Sequence, residues 1–186
     1  KIKMAVRNKI NLSNSNIYFI TFTILDWKNI FIEEKYCDLV FKWFDYIRQN
    51  YGNKIYGYVI MPNHIHVILK IAKKSPIIAK IVQNGKRFLA YGIIGYLESD
   101  KKISALNYFQ SKANKRKGAK HKVFKDRYDS LIIQSEKFFL QKINYIHNNP
   151  CQEKWLLAEY PEEYKYSSAA NYISGEGLYA VDIMEF

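Results

Sequence analysis

Two kinds of apolar spacing alternate along these 186 residues and predict an α+β fold. Runs dense in β-branched and aromatic residues, the composition of strands, occur at 16–27, 53–71 and 128–134. Between and after them, apolar residues recur at three- and four-residue steps, the stripe of an amphipathic helix. The order is strand, helix, strand, strand, helix, strand, helix. Four strands and two helices so ordered make the split βαβ, ferredoxin-like arrangement, an antiparallel sheet with helices on one side. The last helix and the tail after it are additions to that plan. The whole chain, 1–186, is expected to form one domain.

The first strand is NIYFITFTILDW, from Asn16 to Trp27. In EEKYCDLVFKWFDYIRQNYG the stripe is Tyr36, Leu39, Val40, Trp43, Phe44 and Ile47. Glu33 and Glu34 suit the start of that helix, and Gly52 suits its exit. NKIYGYVIMPNHIHVILKI reads as two strands turning at Pro62-Asn63. From Pro76 to about Tyr96 the pattern is helical, although Gly85, Gly92 and Gly95 argue against it. YDSLIIQ is the fourth strand. SEKFFLQKINYIHNN is a helix that Ser135 can cap and Pro150 stops. The tail, from about residue 151, is aromatic and is expected to wrap the body.

Composition narrows the partner. There are 29 Lys and Arg against 17 Asp and Glu, a formal net charge of +12 at pH 7. Such a balance favours a polyanion, and 16 tyrosines offer stacking surface, so nucleic acid is expected rather than membrane. No apolar stretch is long enough to span a bilayer, and no signal peptide pattern opens the chain. Cys37 and Cys151 lie far apart without metal-ligand spacing. A reduced, cytoplasmic protein is expected.

Residues 112–127, KANKRKGAKHKVFKDR, hold eight basic residues against one acidic. Lys112, Lys115, Arg116, Lys117, Lys120, Lys122, Lys125 and Arg127 read either as a solvated loop or as an arm that contacts phosphates.

Two patterns carry possible chemistry. His64 and His66 lie one residue apart on a strand and so share a face. They can grip one metal ion, or they can be two half-exposed polar residues. Tyr145 and Asn149 are four residues apart and share a helical face. A tyrosine there can attack a phosphodiester with metal assistance, or it can simply pack.

Four landmarks in order resemble one family. YFITFTILDWKNIF, YVIMPNHIHVIL, NYIHNNP and YKYSSAANY are similar to the opening strand, HUH motif (histidine, hydrophobic, histidine), tyrosine helix and tail of REP-associated tyrosine transposases. These belong to the single-tyrosine HUH transposase superfamily. The resemblance implies that His64, His66 and Asn149 ligate Mg²⁺ or Mn²⁺ and that Tyr145 is the nucleophile. It implies cleavage and rejoining of single-stranded DNA beside hairpins through a 5′-phosphotyrosine intermediate, by a monomer or a homodimer. Lys86 and Arg87, with the 112–127 run, are then candidate phosphate contacts. The family often has tryptophan where Phe124 stands here, which keeps an aromatic body. His121 and His147 are not carried over.

Three rival readings remain. A catalytically silent ferredoxin-like nucleic-acid binding protein would have no use for the His64, His66, Tyr145 and Asn149 set. A zinc hydrolase lacks a third strong ligand. Another HUH endonuclease, of replication or relaxase type, would usually be larger.

Overall fold

The structure is a computed structural model that describes residues 16–114 and 118–186. Lys115, Arg116 and Lys117 of the basic run lie outside the described residues. β1 (Ile17–Thr23) is central, between β3 (His64–Lys70) and β4 (Asp129–Ile132), and β2 (Lys54–Met61) flanks β3. All three pairings are antiparallel and the order is β2-β3-β1-β4, the ferredoxin-like order.

Alternation sorts the strand residues onto two faces. Ile20, Phe22, Ile65, Val67 and Leu69 face the larger core, which is closed by α1 (Glu34–Tyr51) and α2 (Ile78–Ser99). Phe19, Val59, Met61 and Ile68 face the other way, onto Phe139, Ile143 and Ile146 of α4 (Glu136–Asn148). His64 and His66 alternate with Ile65 and Val67, so the pair lies on the α4 side. The sheet that would have stayed open on one face is covered there by the tyrosine-bearing helix.

The six stripe residues of α1 are all buried, and the helix closes at Gly52 with a left-handed φ of 71°. α2 runs unbroken through its three glycines, and two of them have a packing reason. A Cβ at Gly85 would stand 2.6 Å from the Trp43 ring, and one at Gly92 would stand 2.6 Å from Leu39. These residues let α2 lie close against α1. Their cost in helix propensity, about 1 kcal/mol each, is offset by contact.

α3 (Ile103–Ser111) was not anticipated from the sequence. Its only buried residue is Phe109, too little for a legible stripe. α4 starts where expected, with the Ser135 hydroxyl accepting the Phe138 N–H at 3.3 Å. It ends at Asn148, just before the expected stop at Pro150, with Asn149 as its C-cap still at helical angles of φ −58° and ψ −44°.

The tail wraps β2. Ser167 bridges Val59, and the Ile55 N–H donates to the Asp182 carboxylate at 3.0 Å. Arg48 holds the same carboxylate at 2.8 Å. α5 (Ala169–Ile173) and Tyr179 complete the cover, with the Tyr179 ring stacked on Phe41 at 5.1 Å. Among the described residues no helix is long and apolar enough to cross a membrane.

Candidate metal and nucleophile site

The two imidazoles meet edge to face, with ring centroids 4.7 Å apart, and both residues are buried. Each has a partner for one nitrogen, His66 through the register of the sheet and His64 through the preceding turn. His66 lies opposite Thr21, and its Nδ1 shares a hydrogen bond with the Thr21 hydroxyl at 2.7 Å. His64 Nδ1 meets the Asn63 side-chain oxygen at 2.7 Å. The Asn63 amide nitrogen donates to Trp27 O at 3.3 Å and to Asn29 Oδ1 at 3.2 Å, which turns its oxygen toward His64. His64 must therefore donate from Nδ1, leaving the lone pair on Nε2. Such a partner on the far nitrogen orients a metal-binding histidine.

Burial pushes the His64 imidazolium down to about 4, with a smaller contribution from Lys154. His66 lies well below its ordinary value through burial first, then through the neighbouring His64, Lys142 and Lys154. Both rings are neutral at pH 7, the form that ligates.

Tyr145 lies against this pair. Its ring is 5.2 Å from that of His66 and 6.0 Å from that of Phe19, and it remains 41% exposed. Phe139 packs on Tyr56, Ile143 reaches Gly57, and Tyr145 reaches His66, so α4 advances along the sheet toward the His64 end. Beyond the helix, the Trp155 ring is 5.7 Å from His64. Asn149 falls between these last two contacts along the chain and is 1% exposed.

The unmet polar atoms are informative. His66 Nε2 and both side-chain atoms of Asn149 are buried without a hydrogen-bond partner. Natural folds seldom leave such atoms unpaired, and a cation with its waters would satisfy the nitrogen and the amide oxygen. No group of three His, Cys, Asp or Glu side chains suited to a metal occurs among the described residues. Two imidazoles with an amide oxygen as a third donor would fit an ion that keeps open positions for water and phosphate.

The basic candidates are scattered. Lys86 is half-buried and its ammonium donates to the backbone oxygens of Lys125 and Asp126, which ties α2 to the chain before β4. Arg87, Lys112, Lys120 and Arg127 are exposed. Lys112 faces Asp26 at 3.7 Å, and Lys122 pairs with Asp126 at 2.7 Å. Lys125 sits 4.0 Å over the Trp27 ring. Phe124 is buried against Phe22, with the rings 5.8 Å apart, as an aromatic body there requires. His147 is a packing residue whose Nε2 meets the Ser168 hydroxyl at 2.9 Å.

Several neighbours were missed in the sequence. Lys142 sits 4.8 Å over Phe19 and 5.7 Å from the Tyr145 ring, and its place one turn before Tyr145 was a usable signal. Thr21 and Asn63 orient the imidazoles. The first is visible only once the strand register is known.

No protein-family model matches the chain, and no curated protein does. Solved structures do. One, of a REP-associated tyrosine transposase bound to a REP hairpin, superposes with a TM-score of 0.62 at 15% identity, covering 100% of this chain and 95% of that one. Another, a transposase candidate from Deinococcus radiodurans R1, gives 0.45 at 19% identity, covering 80% and 96%. The chain has the fold of a REP-associated tyrosine transposase.

Proposed function

We propose that the chain, on the fold it shares with a REP-associated tyrosine transposase, cleaves and rejoins single-stranded DNA beside hairpins. The observation that carries this reading is the half-exposed Tyr145 ring, 5.2 Å from His66, whose Nε2 is buried without a partner. Tyr145 Oη attacks the phosphorus of a phosphodiester and its proton passes to solvent. The bond from phosphorus to the 3′ oxygen breaks, that oxygen takes up a proton, and a 5′-phosphotyrosine link remains. The phosphoester is conserved in the link, so the free 3′-hydroxyl can reverse the step without ATP.

His64, His66 and Asn149 would hold Mg²⁺ or Mn²⁺, which supplies polarisation of a phosphate oxygen and offsets charge on the leaving oxygen. Two imidazoles favour Mn²⁺ in affinity. The chain itself contributes orientation. Asn63 fixes the His64 tautomer and Thr21 holds the His66 ring, while Phe19 and Lys142 flank the Tyr145 ring and Lys142 brings positive charge to it. Arg87, Lys112, Lys120, Lys125 and Arg127, together with Lys115, Arg116 and Lys117, would contact the DNA backbone outside the site. The hairpin as partner is proposed from what the neighbour of known structure binds.

Tyr145→Phe tests the reading. The ring stays, so fold and DNA binding persist, while the denaturant-resistant protein–DNA adduct is lost. Peptide mapping of the adduct formed by the unaltered protein places the link on Tyr145. A link on Tyr128, Tyr164 or Tyr166 would move the nucleophile to another element and refute the assignment.

A further inference from the structure

The loop after β1 holds a large apolar ring in solvent on a strained backbone. Asp26 and Trp27 are consecutive residues with φ of 49° and 56°. The left-handed region is unfavourable for a residue with a side chain. Trp27 is 54% exposed, so burial of its indole offsets little of that.

The surroundings fix the loop in place. Trp27 O accepts from Asn63, and the Leu25 N–H donates to Val123 O at 2.8 Å. The Asp26 carboxylate accepts the Tyr108 hydroxyl, which is the main cause holding it below the usual carboxylate range, with Lys112 adding to that. A solvent-facing indole tied down from three sides is a rigid platform.

Two neighbours indicate what the platform carries. The His64 ring lies 5.8 Å from the indole at 80°, so Trp27 borders one end of the imidazole pair while Tyr145 borders the other. On the indole face, 4.0 Å away, sits the Lys125 ammonium. A flat apolar face beside a cation matches a nucleotide in both parts, with stacking for the base and charge for the phosphate.

We propose that Trp27 stacks one unpaired nucleobase of the strand next to the phosphate that Tyr145 attacks, and that Lys125 moves from the indole to that nucleotide's own phosphate. The inference rests on the single-stranded DNA reading above and adds a base subsite to it. Every base has a π-face, so the subsite fixes the position of the strand and is blind to base identity.

The test is equilibrium binding of a single-stranded oligonucleotide, without divalent metal so that no cleavage intervenes. Trp27→Ala weakens binding by about 5- to 100-fold, the usual size of one base–aromatic stack, and Trp27→Phe keeps most of the affinity. An abasic nucleotide, moved one position at a time, reproduces the loss at a single position, and there Trp27→Ala adds nothing further. Unchanged affinity of Trp27→Ala, or losses that simply add at every position, overturns the subsite. Thermal melts of both variants show whether the loop change has disturbed the fold, and equal loss in Trp27→Phe and Trp27→Ala would assign the effect to the loop and overturn the stack. A protein that passes the binding test yet forms no tyrosine adduct with metal present overturns the cleavage reading and leaves the subsite standing. A protein that binds no single strand overturns both.

Discussion

At Asn149 the fold buries an amide whose oxygen and nitrogen both lack partners. Burying such a group unpaired costs roughly 1–3 kcal/mol. Asn149→Leu is close in shape and removes both polar atoms. It is expected to raise the stability of the metal-free protein by about 1 kcal/mol and to abolish the rise in melting temperature expected of the unaltered protein with Mn²⁺. A variant that melts lower, or that still responds to Mn²⁺, would show that the amide is satisfied by other means. The residues proposed for the site stand out in the sequence by their spacing: alternate positions on a strand, a four-residue step on a helix. The groups that orient them do not. Thr21 lies far from His66 in sequence and meets it only through the β1–β3 register. Lys86, an apparent phosphate contact by sequence, spends its ammonium on two backbone oxygens, and sequence position could not reveal that.

Among the elements, the four strands and the three long helices followed from periodicity, while α2 and α3 show where periodicity is a poor guide. Glycines counted against α2 because propensity treats each residue alone. Packing decides otherwise, and differently at each glycine. An added methyl at Gly85 meets the rigid Trp43 ring at 2.6 Å, whereas one at Gly95 meets nothing within 4 Å. Gly85→Ala is therefore expected to destabilise the protein by about 1–3 kcal/mol through overpacking. Gly95→Ala is expected to stabilise it by roughly 0.5–1 kcal/mol through helix propensity alone. Denaturant midpoints of the two variants must move in opposite directions. Shifts of the same sign would mean that α1 and α2 are not in the contact described. α3 escaped notice because a nine-residue helix with one buried side chain carries almost no pattern.

Across the whole molecule, three buried imidazoles act together on acid stability. Burial holds His64 and His147 near 4 and His66 well below its ordinary value. Unfolded histidines take up protons as pH falls through about 6.5, whereas His64 and His147 resist until about 4 and His66 is held down in the same direction, so acidification below 6.5 favours the unfolded chain. The contribution is complete above pH 6.5 and is lost on the way down to pH 4, at roughly 3 kcal/mol for a single histidine of this kind. His147→Gln is expected to flatten the fall of melting temperature between pH 6.5 and 4. An unchanged profile would place the acid sensitivity elsewhere. His147 also joins the tyrosine helix to the tail through Ser168, so part of this sensitivity belongs to the seating of α4. That helix lies on the sheet of its own chain, and the 5.2 Å between Tyr145 and His66 is an intramolecular distance. The consequence is one of counting. On the proposed reading each polypeptide would carry its own set, so an equimolar mixture of Tyr145→Phe and His66→Ala proteins would contain no intact set. Such a mixture is expected to be as inactive as either protein alone, whereas an exchange of helices between two chains would regenerate intact sets and restore a measurable fraction of strand cleavage.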